Sequence, residues 1–175
     1  MKGGDILKLK TMTRISIMAA LTAVGAFIII PLPGSPVPVT LQLLFTFLAG
    51  GLLGAKGGFY SQVIYILLGS AGLPVFAGGT GGIGALVGPT AGYIYGFLIA
   101  GYLAGLGKRN FKTKVLYNFA GLGIVYILGT IGLMIYTGLG FQKALMSGVL
   151  PFIPGDLLKV ALAAYLTSKI PIDKL

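Results

Sequence analysis

The chain has 175 residues, 56% of them hydrophobic and 9% charged, with no Cys or His and with Lys and Arg outnumbering Asp by 13 to 3. Soluble chains carry about 25% charged residues, so this composition excludes a water-soluble enzyme, a secreted domain and a disordered tail, and the missing Cys and His remove disulfides, thiolate nucleophiles and imidazole chemistry. What remains is a small integral membrane protein, read as one domain over residues 1–175.

The basic residues stand between apolar runs, and their positions set the elements. A nucleic-acid reader would gather them on one wet face, so the net charge of +10 reads as membrane topology instead. Lys2, Lys8, Lys10 and Arg14 precede the first run. The 41 uncharged residues from there to Lys56 are too many for one span, which needs about 20. Within them Pro31-Leu32-Pro33-Gly34-Ser35-Pro36-Val37-Pro38 cannot continue a helix, so two spans are expected, near 15–31 and 39–55. The 51 uncharged residues between Lys56 and Lys108 hold two more, near 57–72 and 85–106. The 28 between Lys114 and Lys143 hold one near 115–137, and the last lies near 145–168. The expected fold is all-α, a six-transmembrane-helix bundle with Gly/Pro-rich apolar outer loops. The first run, long and followed by five more, reads as a retained helix rather than a cleaved signal peptide.

Lys and Arg accumulate in cytoplasmic segments. With the N-terminus inside, Lys2, Lys8, Lys10, Arg14, Lys56, Lys108, Arg109, Lys112, Lys114, Lys169 and Lys174 are cytoplasmic, Lys143 alone is outside, and Lys159 lies within the membrane. Both termini are then cytoplasmic, in a multi-pass protein of the cell membrane.

Thirty glycines need a reason. Lipid offers helices no hydrophobic drive to associate, and small residues at every fourth position let backbones approach. Gly88, Gly92, Gly96, Ala100 and Ala104 form such a ridge along the fourth span. Ala19 and Ala23, flanked by Ser16 and Ala20, form a shorter one, fit either for internal packing or for docking another membrane protein. The Gly-rich segment from Gly69 to Gly84 is apolar and uncharged, so it should lie against the bundle or over a cavity. Gly79, Gly81 and Gly84 match the spacing G-x-G-x-x-G, but no βαβ unit surrounds them and no acidic residue follows to hold a ribose.

Asp156 and Lys159 lie within the last apolar region, after Pro151 and Pro154. A charge in the bilayer interior costs on the order of 3 kcal/mol and faces a cavity or partner. Three residues apart, the two share a helical face, and the prolines place Asp156 in a first helical turn, where the dipole favours an anion. One reading is an ion pair neutralised within the bundle. The other is a polar ligand site in which Asp156 accepts N–H donors and Lys159 meets an anion. A lone carboxylate without a second acid makes a poor proton relay. Further polar candidates are Thr40 and Gln42, Thr80 and Thr90, and Tyr93, which can stack on a ring or anchor the interface; Asn118 is read as structural.

Pro36-Val37-Pro38-Val39-Thr40-Leu41-Gln42, Gly72-Leu73-Pro74-Val75-Phe76-Ala77-Gly78-Gly79, Gly88-Pro89-Thr90-Ala91-Gly92-Tyr93 and Pro154-Gly155-Asp156-Leu157-Leu158-Lys159 occur in this order. Together they resemble the BioY family, the biotin-binding S components of energy-coupling factor (ECF) vitamin transporters. Ala91 stands where the family often has Gly. The resemblance implies capture of biotin from outside and delivery inward with a transmembrane T component and two ATPase subunits, which would use the ATP. It implies no cofactor and no metal in this chain, and docking to the partners through Ala19 and Ala23. It also implies that Asp156 accepts from the ureido N–H groups and that Lys159 meets an anion or pairs with Asp156, although the two can exchange ends of the ligand. Phe76 and Tyr93 would pack on the rings, with Gly-rich loop backbone around Gly79 and Thr80 serving the remaining acceptors, beside Thr40 and Gln42. The competing readings are an S component for another vitamin, a self-sufficient biotin carrier, and a membrane enzyme, for which Asp156 and Lys159 are too few groups.

Overall fold

The computed structural model describes residues 3–107 and 110–170, the first six of these by backbone alone. Lys2, Lys108, Arg109 and Lys174, used in the charge reading above, lie outside the described residues. Helix α1 spans Gly3–Phe27, α2 Gln42–Ser70, α3 Ala91–Leu106, α4 Phe111–Thr137, α5 Phe141–Gly148 and α6 Ile153–Lys169. Between α1 and α2 two short strands pair antiparallel, β1 (Ile29–Ile30) with β2 (Val39–Thr40). Among the described residues, three stretches are long and apolar enough to cross a membrane: Gln42–Ser70, Phe111–Thr137 and Phe141–Lys169.

The first of these doubles back. Gly54 stands at φ +77° and ψ 175°, outside the helical region, a conformation that costs an L side chain energy and glycine little. The Gln42 amide donates to the Tyr65 hydroxyl across the turn, so the two halves of α2 run antiparallel. They touch at Gly50 and Gly58, where a Cβ would collide with the Gly101 carbonyl of α3. The turn leaves carbonyls of the first half without their helical donors, and Lys114 from α4 donates its Nζ to one of them, Gly51 O, at 2.8 Å. That bond explains how Lys114 can be 2% exposed.

Of the expected small-residue ridge, Gly92, Gly96, Ala100 and Ala104 pack the bundle internally, whereas Gly88 precedes α3 and meets only its own loop. A Cβ at Gly92 would overlap the Leu128 carbonyl of α4, and one at Gly96 would come to 2.8 Å of the Val125 Cα. Ala100 and Ala104 continue the contact, against Gly121 of α4 and Gly50 of α2. Apolar side chains with no water to hide from gain dispersion contacts at this closeness.

Several boundaries differ from expectation, each for a local reason. The first helix begins well before residue 15, because its charged N-terminal turns need not lie in lipid, and it stops at Phe27, where the chain enters the strand ladder. The segment expected to open the fourth span at 85 is a 3-10 turn over Ile83–Leu86, followed by Gly88-Pro89, and α3 starts only at Ala91. The fifth starts at Phe111 rather than 115, since the Asn110 side chain accepts from Lys112 N at 2.9 Å and caps it. The last region is two helices joined by a 3-10 turn at Leu150–Phe152, with Pro151 inside the turn and Pro154 in the first turn of α6.

Candidate substrate pocket

At the end of the bundle where α2, α3 and α6 begin, a pocket opens between α2, α3, α4 and α6. It encloses about 550 Å³ of unfilled space, counting the part open to the outside, and its wall is mostly apolar. Val37, Pro38 and Ala77 come from the two connecting loops, Leu43, Ile94, Phe97, Val125 and Phe152 from the helices and the turn before α6. The polar groups are Thr40, Gln42, Thr90, Tyr93, Tyr126, Asp156 and Lys159.

Asp156 and Lys159 are 5% and 7% exposed. Lys159 Nζ lies 2.7 Å from Asp156 Oδ1, and the Tyr126 hydroxyl donates to Oδ2 at 2.9 Å. The acid stands in the first turn of α6, as its position after Pro154 implied. Each charge thus has a partner, which offsets part of the penalty for burying it. Gln42 is fixed at both ends of its amide: its oxygen accepts from Thr40 Oγ1 at 2.9 Å and its nitrogen donates to Tyr65. Tyr65 is wholly buried and meets the Phe76 ring edge-on at 5.4 Å. Tyr93 lines the pocket with its ring, while its hydroxyl donates to Gly148 O at 2.8 Å and ties α3 to the end of α5.

Five expected site residues therefore meet at one place: Asp156, Lys159, Tyr93, Thr40 and Gln42. Three do not line it. Phe76 is 0% exposed and lies behind the wall, its ring filling the space that a Cβ on Gly69 would need. Gly79 donates its N–H to Phe76 O at 3.0 Å, so that group closes the loop rather than facing a ligand. Thr80 is exposed and donates its hydroxyl to Ala77 O at 3.0 Å. Ala19 and Ala23, expected as a docking surface, are 0% and 9% exposed and belong to the core; they are internal packing, and Ser16 and Ala20 are exposed beside them on α1. Asn118 donates to Val160 O at 3.3 Å and is structural. Tyr126 and Tyr65 had no local signal in the sequence: both are ordinary tyrosines in apolar helices, brought to the site from 30 and 23 residues away.

A family model described as the BioY family matches residues 1–172. The chain is 44% identical over 164 residues to a probable biotin transporter BioY of Pyrococcus horikoshii, covering 94% of this chain and 98% of that one. It is 41% identical over 165 residues to the biotin transporter BioY of Thermotoga maritima, covering 93% and 96%. Its structure is similar, with a TM-score of 0.88 and 30% identity, to a crystal structure at 2.1 Å of the S-component for biotin from an ECF-type ABC transporter, covering 100% of this chain and 95% of that chain.

Proposed function

The chain belongs to the BioY family, and we propose that it is a substrate-binding S component that captures biotin in the pocket between α2, α3, α4 and α6. The observation that carries this reading is the buried Asp156–Lys159 pair at the end of an apolar cleft. Biotin carries two ureido N–H donors, a ureido carbonyl, an apolar thioether ring and chain, and a carboxylate. Asp156 accepts from a ureido N–H. Lys159, the one cation on the wall among the described residues, serves a ligand acceptor, either the ureido carbonyl or the carboxylate. Phe97, Phe152 and the Tyr93 ring pack on the ring and chain, and the fixed Gln42 amide discriminates by hydrogen bonding.

In the same reading the protein is multi-pass, with six membrane-crossing segments: α1, the two halves of α2, α3, α4 and the α5–α6 unit. The pocket end faces outward, and Lys56, Lys112, Lys114 and Lys169 gather at the cytoplasmic end, as the positive-inside rule requires. The chain carries no cofactor of its own. A T component and two ATPases supply the energy and dock on membrane-exposed surface, for which Ser16 and Ala20 on α1 are available.

Competition binding tests the substrate. A labelled biotin bound to the purified protein should be displaced by unlabelled biotin and not by riboflavin or thiamin at a hundredfold excess. No saturable binding of labelled biotin, or its displacement by riboflavin or thiamin at that excess, would reassign the site.

A further inference from the structure

Asp156 is held on one side by its own helix and on the other by α4. Lys159 sits three residues along α6 and moves with the acid, so their bond cannot fix the carboxylate relative to the opposite wall. The terminal torsion of an aspartate is broad, and with Lys159 alone its second oxygen would be free to swing. The Tyr126 hydroxyl, from α4, donates to that oxygen at 2.9 Å, and its ring lines the same pocket. Resting on the biotin reading above, we propose that Tyr126 is a positioning and specificity-determining residue: its hydroxyl sets the plane of the Asp156 carboxylate and so decides where a ligand must present its N–H.

The arithmetic of acceptors supports this. An ionised carboxylate has about two acceptor directions on each oxygen. Lys159 occupies one on Oδ1 and Tyr126 one on Oδ2. The directions left over are fixed in space by two bonds from two different helices. A ligand N–H arriving there meets an acceptor already oriented and pays no cost to order it. A ligand with an acceptor or a methyl at that position meets a carboxylate that cannot turn away.

Tyr126→Phe removes one oxygen and keeps the ring, and it is tested for biotin binding beside the unaltered chain, Asp156→Asn and the double variant, by competition up to millimolar biotin. We expect Tyr126→Phe to weaken biotin about tenfold in the otherwise unaltered chain, the size of the cost of ordering one side chain on binding. In the Asp156→Asn background the same substitution should change affinity less than twofold, because the acid it orients has gone. Ligand-free melting of each variant is recorded as well. Unchanged biotin affinity in Tyr126→Phe, with or without a lowered melting temperature, overturns the positioning role. So does an equal loss in both backgrounds, which would mean that the hydroxyl acts through packing and not through Asp156. Failure of the unaltered, folded chain to bind biotin is a separate result; it overturns the biotin reading and with it this proposal.

Discussion

Asp156 and Lys159 are the residues on which binding and stability meet. Buried as a pair they cost little; buried singly they cost much, and breaking such a pair by removing one partner destabilises by about 3–5 kcal/mol. Lys159→Met should therefore lower the melting temperature in detergent markedly, and adding Asp156→Asn to it should restore part of the loss. A Lys159→Met protein that melts like the unaltered one would show the pair to be solvated. This pair was legible in the sequence because a charge inside an apolar helix stands out against its neighbours. Thr40 and Gln42 were legible too, as polar residues at the start of an apolar run. Phe76 was not: an aromatic in a Gly-rich loop can face a ligand or anchor the loop, and only the space opposite, vacated by Gly69, decides for the anchor. Tyr126 was invisible for the opposite reason, since nothing about a tyrosine in an aromatic-rich helix says which distant acid it will reach.

At the scale of elements, the α2 hairpin shapes the molecule. Gly54 turns the chain back, Gly50 and Gly58 let the halves and α3 close together, and Lys114 satisfies a carbonyl the turn exposes. Gly54→Ala adds a Cβ at φ +77° and should cost on the order of 1 kcal/mol or more in thermal unfolding, although the space around it is open; an unchanged melting temperature would mean that the turn relaxes. Charge spacing placed a break between two apolar runs at Lys56, two residues from the turn at Gly54, because hydrophobic length against bilayer thickness is a property of the sequence alone. It did not foresee the β1–β2 ladder, whose pairing joins segments across the proline run. The α1 stripe carries the same lesson. A repeat of small residues at every fourth position states a spacing and not a direction, and Ala19 and Ser16–Ala20 lie on neighbouring faces of one helix. Ala19→Trp should prevent folding, since Ala19 is fully buried. Ala20→Trp should leave biotin binding by the isolated chain intact and impair assembly with partner subunits in a pull-down. Normal assembly of Ala20→Trp would move the docking surface off this face of α1.

For the molecule as a whole, the pocket lies at one end and four of the described basic residues, Lys56, Lys112, Lys114 and Lys169, at the other. The chain contains no cysteine, so single cysteines report topology without background. Lys143→Cys should react with a membrane-impermeant maleimide added to intact cells, and Lys112→Cys only after permeabilisation. The reverse pattern would invert the protein and place the pocket inside.

One chain is expected to hold a complete biotin site, built on the charges of α6, the amide at the start of α2 and the aromatic walls of α3 and α4. Calorimetric titration of biotin into the purified protein in detergent, without partner subunits, tests it most directly. Saturable binding near one biotin per chain is expected, weakened at least tenfold by Asp156→Asn but still measurable at millimolar biotin. No heat and no binding, in protein shown to be folded and free of carried-over ligand, would contradict it.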